Sequence, residues 1–320
     1  VRRWIWIAIA IAIAVAVALS LGDVRQLGAG LSGFRWPAFV AALGLALGNY
    51  VIRFVRWELY LRRQGVSVPL GTSSLVFGAG LSLSITPGKV GELVKSYLLR
   101  ELHDVPATRT APIVVAERVT DLVALLVLAV AGVAAYGLSA MLVIAAAAVI
   151  VAGLLLLAWP RPTQALLDLV TRPRRLRRFR APLHDMYRGL ATLCRPAPLA
   201  IATALALPAW ACECVGFALI VNAFPGAHVD LGPAMVIYAA TTIAGALSFL
   251  PGGLGVTEGA MTMFLVTGQA KLSRALALDA TLLTRLATLW FAVAIGLGCL
   301  ALARRRVRGR VRVNSGAEPL

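Results

Sequence analysis

Ile85-Thr-Pro-Gly-Lys-Val-Gly-Glu-Leu-Val-Lys-Ser-Tyr-Leu-Leu-Arg100 places a helix-breaking pair inside apolar surroundings. Proline lacks a backbone donor and clashes with the preceding turn. The apolar segment from Thr72 to Ile85 must therefore stop, and a new short helix is expected to begin at about Val90. Its N-terminus would present free N–H groups and a positive dipole end beside Lys89. Within hydrocarbon, broken backbone survives only where it is buried in protein or lines a cavity. A weaker echo follows at Ser248-Phe-Leu-Pro-Gly-Gly-Leu-Gly-Val-Thr-Glu-Gly-Ala260.

The surroundings are those of a membrane chain. Of 320 residues, 60% are hydrophobic and 14% charged, against about 25% charged in soluble domains, and the mean hydropathy is +0.84. Apolar runs reach roughly the 18 residues that cross a bilayer. The run from Ile5 to Leu21 is longer than a signal-peptide core, and no small-residue cleavage site follows it before Asp23, so it is expected to be a first span. Spans are further expected over 37–61, 107–136, 140–159, 198–224 and 272–303. The net charge of +17 does not indicate nucleic acid, because the basic residues gather at the ends of apolar runs, as the positive-inside rule requires. The run from Arg172 to Arg180 reads as a cytoplasmic anchor on anionic lipid.

The distribution of arginine chooses the topology. If each Pro-Gly segment turns back to its starting side, Arg62-Arg63, Arg100 to Arg109, the run 172–180 and the tail from Arg304 all fall on one face. A single crossing at the first break would place 172–180 outside, against the rule. The expected fold is therefore an all-α polytopic membrane protein, with about six full spans and two Pro-Gly-broken re-entrant hairpins in an inverted repeat. Residues 1–303 form one integral membrane domain: repeat one over 37–136, a linking helix and basic loop over 140–196, and repeat two over 197–303. Residues 304–320 form a basic tail, and both termini are expected in the cytoplasm of a cell-membrane protein.

Candidate binding residues cluster at the breaks. Gly88, Lys89 and Gly91 suit a phosphate or carboxylate, as do Gly252 and Gly253 at the second break. Glu92 and Lys95 are three apart and can pair, as can Arg118 and Asp121. Arg118 and Arg285 could each clamp a phosphate with two parallel hydrogen bonds. Arg285 has no acid within four residues, so Glu258, Glu213 or a bound anion must serve it. Pro87, Pro251, Glu117, Asp121, Arg53 and the intramembrane Glu213 are assigned structural or ion-pair roles, while Arg56 and Glu58 lie near enough to a helix end to snorkel.

The cysteines Cys194, Cys212, Cys214 and Cys299 have no metal or redox spacing, and His103, His184 and His228 are scattered in expected loops. No nucleophile, acid pair or metal cluster suggests an enzyme, and no cofactor is expected.

Pro87-Gly-Lys-Val-Gly-Glu-Leu-Val-Lys-Ser-Tyr-Leu-Leu99, Glu117-Arg-Val-Thr-Asp-Leu122, Pro251-Gly-Gly-Leu-Gly-Val-Thr-Glu-Gly259 and Arg53-Phe-Val-Arg-Trp-Glu-Leu59 resemble the lysylphosphatidylglycerol synthase transmembrane, or flippase-like, family over about residues 37 to 300. In two-domain members this membrane part is joined to a soluble aminoacyl-lipid synthase. The expectation here is a stand-alone membrane part. The resemblance implies movement of a phosphate-bearing lipid, phospholipid or polyprenyl-phosphate carrier, between leaflets. The alternative is a membrane subunit that docks a separate glycosyl- or aminoacyl-lipid transferase. The expected partner is membrane lipid, joined by such a transferase in the alternative, and not nucleic acid.

Gly65→Cys and Asp104→Cys, in a background lacking the native cysteines, should react with an impermeant thiol reagent only from the cytoplasmic side. His228→Cys should react from outside. Labelling of 65 and 104 from opposite sides would rule out the first hairpin.

Overall fold

The structure, a computed structural model, describes residues 33–136, 180–268 and 270–314, together with Leu31 and isolated residues between 141 and 172. The expected span at 5–21, the turn at 137–139, the helix at 140–159 and most of the basic run between Arg172 and Arg180 lie outside the described residues. Among the described residues the regular structure is helical.

The first repeat comprises α1 (Trp36–Arg63), α2 (Leu70–Leu81), a 3₁₀ segment (Pro87–Leu93), α3 (Val94–His103) and α4 (Ala107–Tyr136). After α5 (Arg180–Leu193), the second repeat comprises α6 (Pro196–Val221), α7 (Leu231–Leu247), a 3₁₀ turn (Pro251–Gly253), α8 (Val256–Thr267), α9 (Arg274–Arg285) and α10 (Phe291–Asn314). Proline in the first turn starts both α1 and α6, where its missing N–H would be unpaired in any case. Gly65 in the left-handed region ends the turn after α1.

Among the described residues, three helical stretches, Trp36–Arg63, Pro196–Val221 and Arg274–Arg308, are long and apolar enough to cross a bilayer. The 30 residues of α4 have the length, but Arg109, Glu117, Arg118 and Asp121 interrupt its N-terminal half. By contrast α2 and α8 have 12 residues each and α3 has 10, lengths of about 15–18 Å at 1.5 Å per residue. They are half-helices. Together with the family shown below, this makes the chain a polytopic helical membrane protein.

Contacts between helices repeat the same arrangement twice. α2 of repeat one packs on α10 of repeat two, and α7 of repeat two packs on α4 of repeat one. α1 lies on its counterpart α6, and the two 3₁₀ breaks meet each other. The sense is antiparallel. Gly216 of α6 lies against Ala42, Cys212 against Gly48, and the Ala209 carbonyl accepts from Asn49 Nδ2 at 2.8 Å. As α1 is followed forward, α6 is met backward, so the repeat is inverted.

Side chains tie one end of the bundle together. Gln64 Nε2 donates to the Gly189 carbonyl at 3.0 Å, and Gln64, Arg109, Asp185 and Arg188 border one polar pocket. Arg310 donates to the Glu101 carbonyl at 3.0 Å and pairs with Asp104. The residues before and after the first hairpin therefore share a face with α5 and the end of α10. On the opposite side, Arg35 donates to the Asn222 carbonyl.

Several expected boundaries are corrected. The short helix does not begin at Val90: a 3₁₀ segment starts at Pro87 and the α-helix only at Val94. The last helix starts at Arg274 rather than Leu272 and passes without a break through a π-helical turn at Leu286–Trp290. It also runs past Ala303 to Asn314, so the first part of the expected tail is helix. The tail arginine Arg310 has partners on α3 that favour this extension. His103 and His184 lie within α3 and α5 rather than in loops.

The cross-repeat packing needs bare backbone at two places. A Cβ on Gly296 would fall 2.1 Å from the Ser82 nitrogen, and one on Gly132 would fall 2.6 Å from the Gly232 carbonyl oxygen. Gly296→Ala should separate α2 from α10 and Gly132→Ala should separate α4 from α7. Each is expected to cost about 1–3 kcal/mol, typical of overpacking, read as a lowered midpoint of thermal unfolding in detergent.

Candidate functional site

Hydroxyl groups make the first break possible. Ser82, Ser84 and Thr86 donate to the carbonyls of Ala79, Leu81 and Leu83 at 2.7, 2.8 and 2.7 Å. Thr86 Oγ1 also accepts from the Gly91 N–H at 2.7 Å. The carbonyls released where α2 ends thus keep partners without water, as a low-dielectric setting demands. The second break is held differently. Ser248 Oγ donates to the Gly245 carbonyl at 2.7 Å, Glu258 accepts from the Gly255 N–H at 2.7 Å, and Arg285 Nη2 donates to the Gly252 carbonyl at 2.5 Å. Gly252 has φ +61, a left-handed geometry that other L-residues rarely adopt.

A charged network lies behind the first break. Lys95 Nζ is 2.5 Å from Glu117 and 3.3 Å from Glu92, and sits 4.6 Å over the Trp57 ring. Arg118 joins Glu92 at 3.3 Å to Asp121 at 3.2 Å. Asp121 also accepts from Arg56 at 2.7 Å and from Trp210 Nε1 at 3.1 Å. Arg56 donates to Thr120 Oγ1 at 3.0 Å as well. The expected Glu92–Lys95 and Arg118–Asp121 neighbours are thus close. Arg56 does not snorkel: it is fully buried, because α4 offers it a carboxylate and a hydroxyl at its own depth. Glu58 is half-buried and accepts from Ser73 Oγ.

A cavity of about 280 Å³ opens where the two breaks meet. Its polar wall includes Arg53, Arg118, Arg285, Asp121 and Glu213, with the hydroxyl residues Tyr50, Ser84, Thr86, Tyr238 and Thr288. Leu247, Phe249 and Leu250 border it and are exposed at the bundle surface. Arg285 comes from α9 directly before the π-helical turn, a distortion often found at functional sites.

The two repeats place their arginines alike. Arg118 of α4 pairs with Glu92 of the first broken helix, and Arg285 of α9 pairs with Glu258 of the second at 2.5 Å.

Of the residues singled out for binding, Arg118, Arg285, Gly252 and Gly253 reach the cavity wall. Lys95 and Glu92 are buried in the network behind it, Gly91 packs on Leu83 and Thr86, and Glu258 stands behind Arg285. Only the backbone is described at Gly88 and Lys89, so the Lys89 side chain lies outside the described residues. The expected helix N-terminus beside it is displaced by the 3₁₀ segment. Arg53, Asp121 and Glu213, assigned structural roles, all line the cavity, while Pro87 and Pro251 each start a 3₁₀ turn. Sequence reasoning missed Ser82, Ser84 and Thr86. The alternation of hydroxyl residues immediately before a Pro-Gly break was the available signal.

Fold and site together define a class: polytopic membrane proteins in which two broken helices of an inverted repeat meet at a charged cavity. The family follows from comparison. Residues 5–296 match the lysylphosphatidylglycerol synthase TM region, and the chain belongs to that family. It is similar to a UPF0104 membrane protein of Methanothermobacter thermautotrophicus, 26% identical over 273 residues that cover 77% of this chain and 79% of the relative.

Lys95→Met should lower stability by about 3–5 kcal/mol, because it leaves buried carboxylates without their cation. Adding Glu117→Leu should recover a large part of the loss. Thermal unfolding of the purified single and double variants checks both outcomes.

Proposed function

We propose that the protein moves a phosphate-bearing lipid, a phospholipid or a polyprenyl-phosphate carrier, between the leaflets of the cell membrane. The observation that carries this reading is the cavity, to which α1, α4 and α9 bring Arg53, Arg118 and Arg285 beneath an apolar border at Leu247, Phe249 and Leu250. Guanidinium groups match phosphate oxygens in charge and fork geometry. A space of about 280 Å³ suits a headgroup rather than acyl chains, so the tails would remain in the bilayer and pass the apolar border. Each repeat contributes an arginine beside its own broken helix. In inverted-repeat transporters, rocking of one half against the other exposes a shared midplane site to each side in turn. A phosphate entering here would compete with the Gly252 carbonyl for Arg285 and so loosen the second break as it binds. Both termini would lie in the cytoplasm, with the arginine-rich ends.

Purified protein in liposomes should move labelled phosphatidylglycerol or undecaprenyl phosphate between leaflets, and should not move a phosphate-free glycolipid. Arg53→Gln and Arg285→Gln should each slow movement roughly tenfold to a hundredfold, since a hydrogen bond to a charged group contributes about 1.5–3 kcal/mol. No movement of either phosphate-bearing lipid by folded protein would overturn the reading. Movement that appears only when a transferase is added would favour a docking subunit instead.

A further inference from the structure

A second pocket, of about 290 Å³, lies apart from the cavity. Gln64 borders it after the end of α1, Thr108 and Arg109 in the first turn of α4, and Asp185, Arg188, Gly189 and Thr192 on α5. Arg62 and Arg63 directly precede Gln64, so the pocket sits at an arginine-rich end of the bundle. The four α5 residues are spaced i, i+3, i+4 and i+7, which is one helix face.

Gly189 sets how closely α5 approaches. A Cβ there would fall 3.0 Å from Pro112 Cγ and 3.4 Å from Gln64 Nε2, and the Gly189 carbonyl accepts from Gln64 Nε2 at 3.0 Å. Thr192 Oγ1 donates to the Arg188 carbonyl at 2.9 Å. The close contact with α4 brings Arg188 to the same pocket as Arg109. Neither guanidinium has an ion pair or side-chain hydrogen bond among the described residues. Two like charges held at one pocket repel, and an anion between them removes that repulsion. Asp185 shares the wall, so two cations face one acid. Guanidinium forks match phosphate oxygens, and basic pockets between membrane helices at the water interface take phosphate headgroups.

The face of α4 that starts at this pocket ends at the cavity. Thr108, Val115, Val119 and Leu122 share that face. Val115 is exposed, and Val119 and Leu122 are half-buried. Leu122 lines the cavity, as does Arg118, whose side chain is 22% exposed. Arg118 lies ten residues beyond Thr108 on α4, about 15 Å at 1.5 Å per residue.

We propose that the second pocket is a loading site, which holds the headgroup phosphate of an anionic lipid before the lipid passes along α4 to the cavity. This rests on the lipid-phosphate reading of the cavity. The phosphate takes Arg109 and Arg188, with a hydrogen bond from the Thr108 hydroxyl, while the chains lie against Val115 and Val119. The headgroup then exchanges these guanidiniums for Arg118, and the chains stay in hydrocarbon throughout. No covalent bond forms or breaks.

Native mass spectrometry of the purified protein tests the site, with dioctanoyl phosphatidylglycerol in one arm and glycerol 3-phosphate in the other. Wild type should bind one lipid at the pocket and one at the cavity. The paired variant Arg109→Gln/Arg188→Gln should keep the cavity lipid and bind the other about tenfold more weakly. Arg53→Gln should show the reverse pattern. Asp185→Asn should tighten binding at the pocket about threefold, since it removes a like charge from beside the phosphate. In liposomes the paired variant should move lipid slowly when the lipid is dilute and reach the wild-type rate when it is abundant, as loss of a capture site requires. Equal lipid binding by wild type and the paired variant overturns the proposal. If the paired variant does not fold, tighter binding by Asp185→Asn supports the site and unchanged binding overturns it. Weakened glycerol 3-phosphate binding with lipid binding unchanged gives the pocket to a soluble phosphate compound and overturns the lipid assignment. Loss of the pocket lipid with wild-type movement at every lipid content, or slowing that abundant lipid does not relieve, overturns the loading role. Wild type that binds both lipids and moves none overturns the transport reading and the loading role together, and leaves the pocket as a lipid site.

Discussion

A peptide group released from its helix inside hydrocarbon has to find its partner within the protein. This chain makes that demand twice, at Pro87 and at Pro251, and much of the fold answers it. The two breaks lie against each other, so neither faces lipid alone. Ser82, Ser84 and Thr86 occupy carbonyls at one, and Arg285 occupies one at the other. The cross-repeat pairs α2–α10 and α4–α7 hold the half-helices at the depth where they can meet. The close approach of Gly296 and Gly132 to opposing backbone follows from the same need.

Bringing two breaks together also collects charge. Arg53, Arg56 and Lys95 are each less than a tenth exposed, as are Glu92, Glu117 and Asp121. Such groups are tolerated only as a connected set, because removing one partner leaves another charged and dry. The network thereby fixes α1, α3 and α4 relative to one another: Arg56 reaches Asp121 from α1, and Lys95 reaches Glu117 from α3. The result is a rigid wall behind the cavity, with Arg118 spanning the boundary between wall and open space.

The repeats match in topology and differ in how firmly they are held. Three cations, Lys95, Arg118 and Arg53, surround Glu92 in the first repeat, and Glu117 also holds Lys95. In the second, among the described residues, Arg285 ties Glu258 to the Gly252 carbonyl. Left-handed backbone is concentrated there, at Phe249, Gly252, Gly253 and Gly255, and a π-helical turn follows Arg285.

The membrane class, the two breaks and the span of α4 from Ala107 to Tyr136 are legible in the sequence, because proline geometry and apolar run length act locally. The neighbours Glu92–Lys95 and Arg118–Asp121 are legible for the same reason, since residues three apart share a helix face. The partners of Arg56 and Arg285 are not. Arg56 is close to a basic helix end and reads as a snorkelling side chain until α4 is seen to cross it at Asp121. Lys95 reads as a ligand until Trp57 and Glu117 close over it, and Arg53 and Glu213 read as structural until both are found on the cavity wall. The 3₁₀ segment at Pro87 and the π-helical turn at Leu286 were equally hidden, because each depends on packing that follows only once the repeats dock. Local stereochemistry decided where this chain bends and which side chains share a helix face. The crossing of helices far apart in sequence decided which charges meet in the dry interior and which remain facing the cavity.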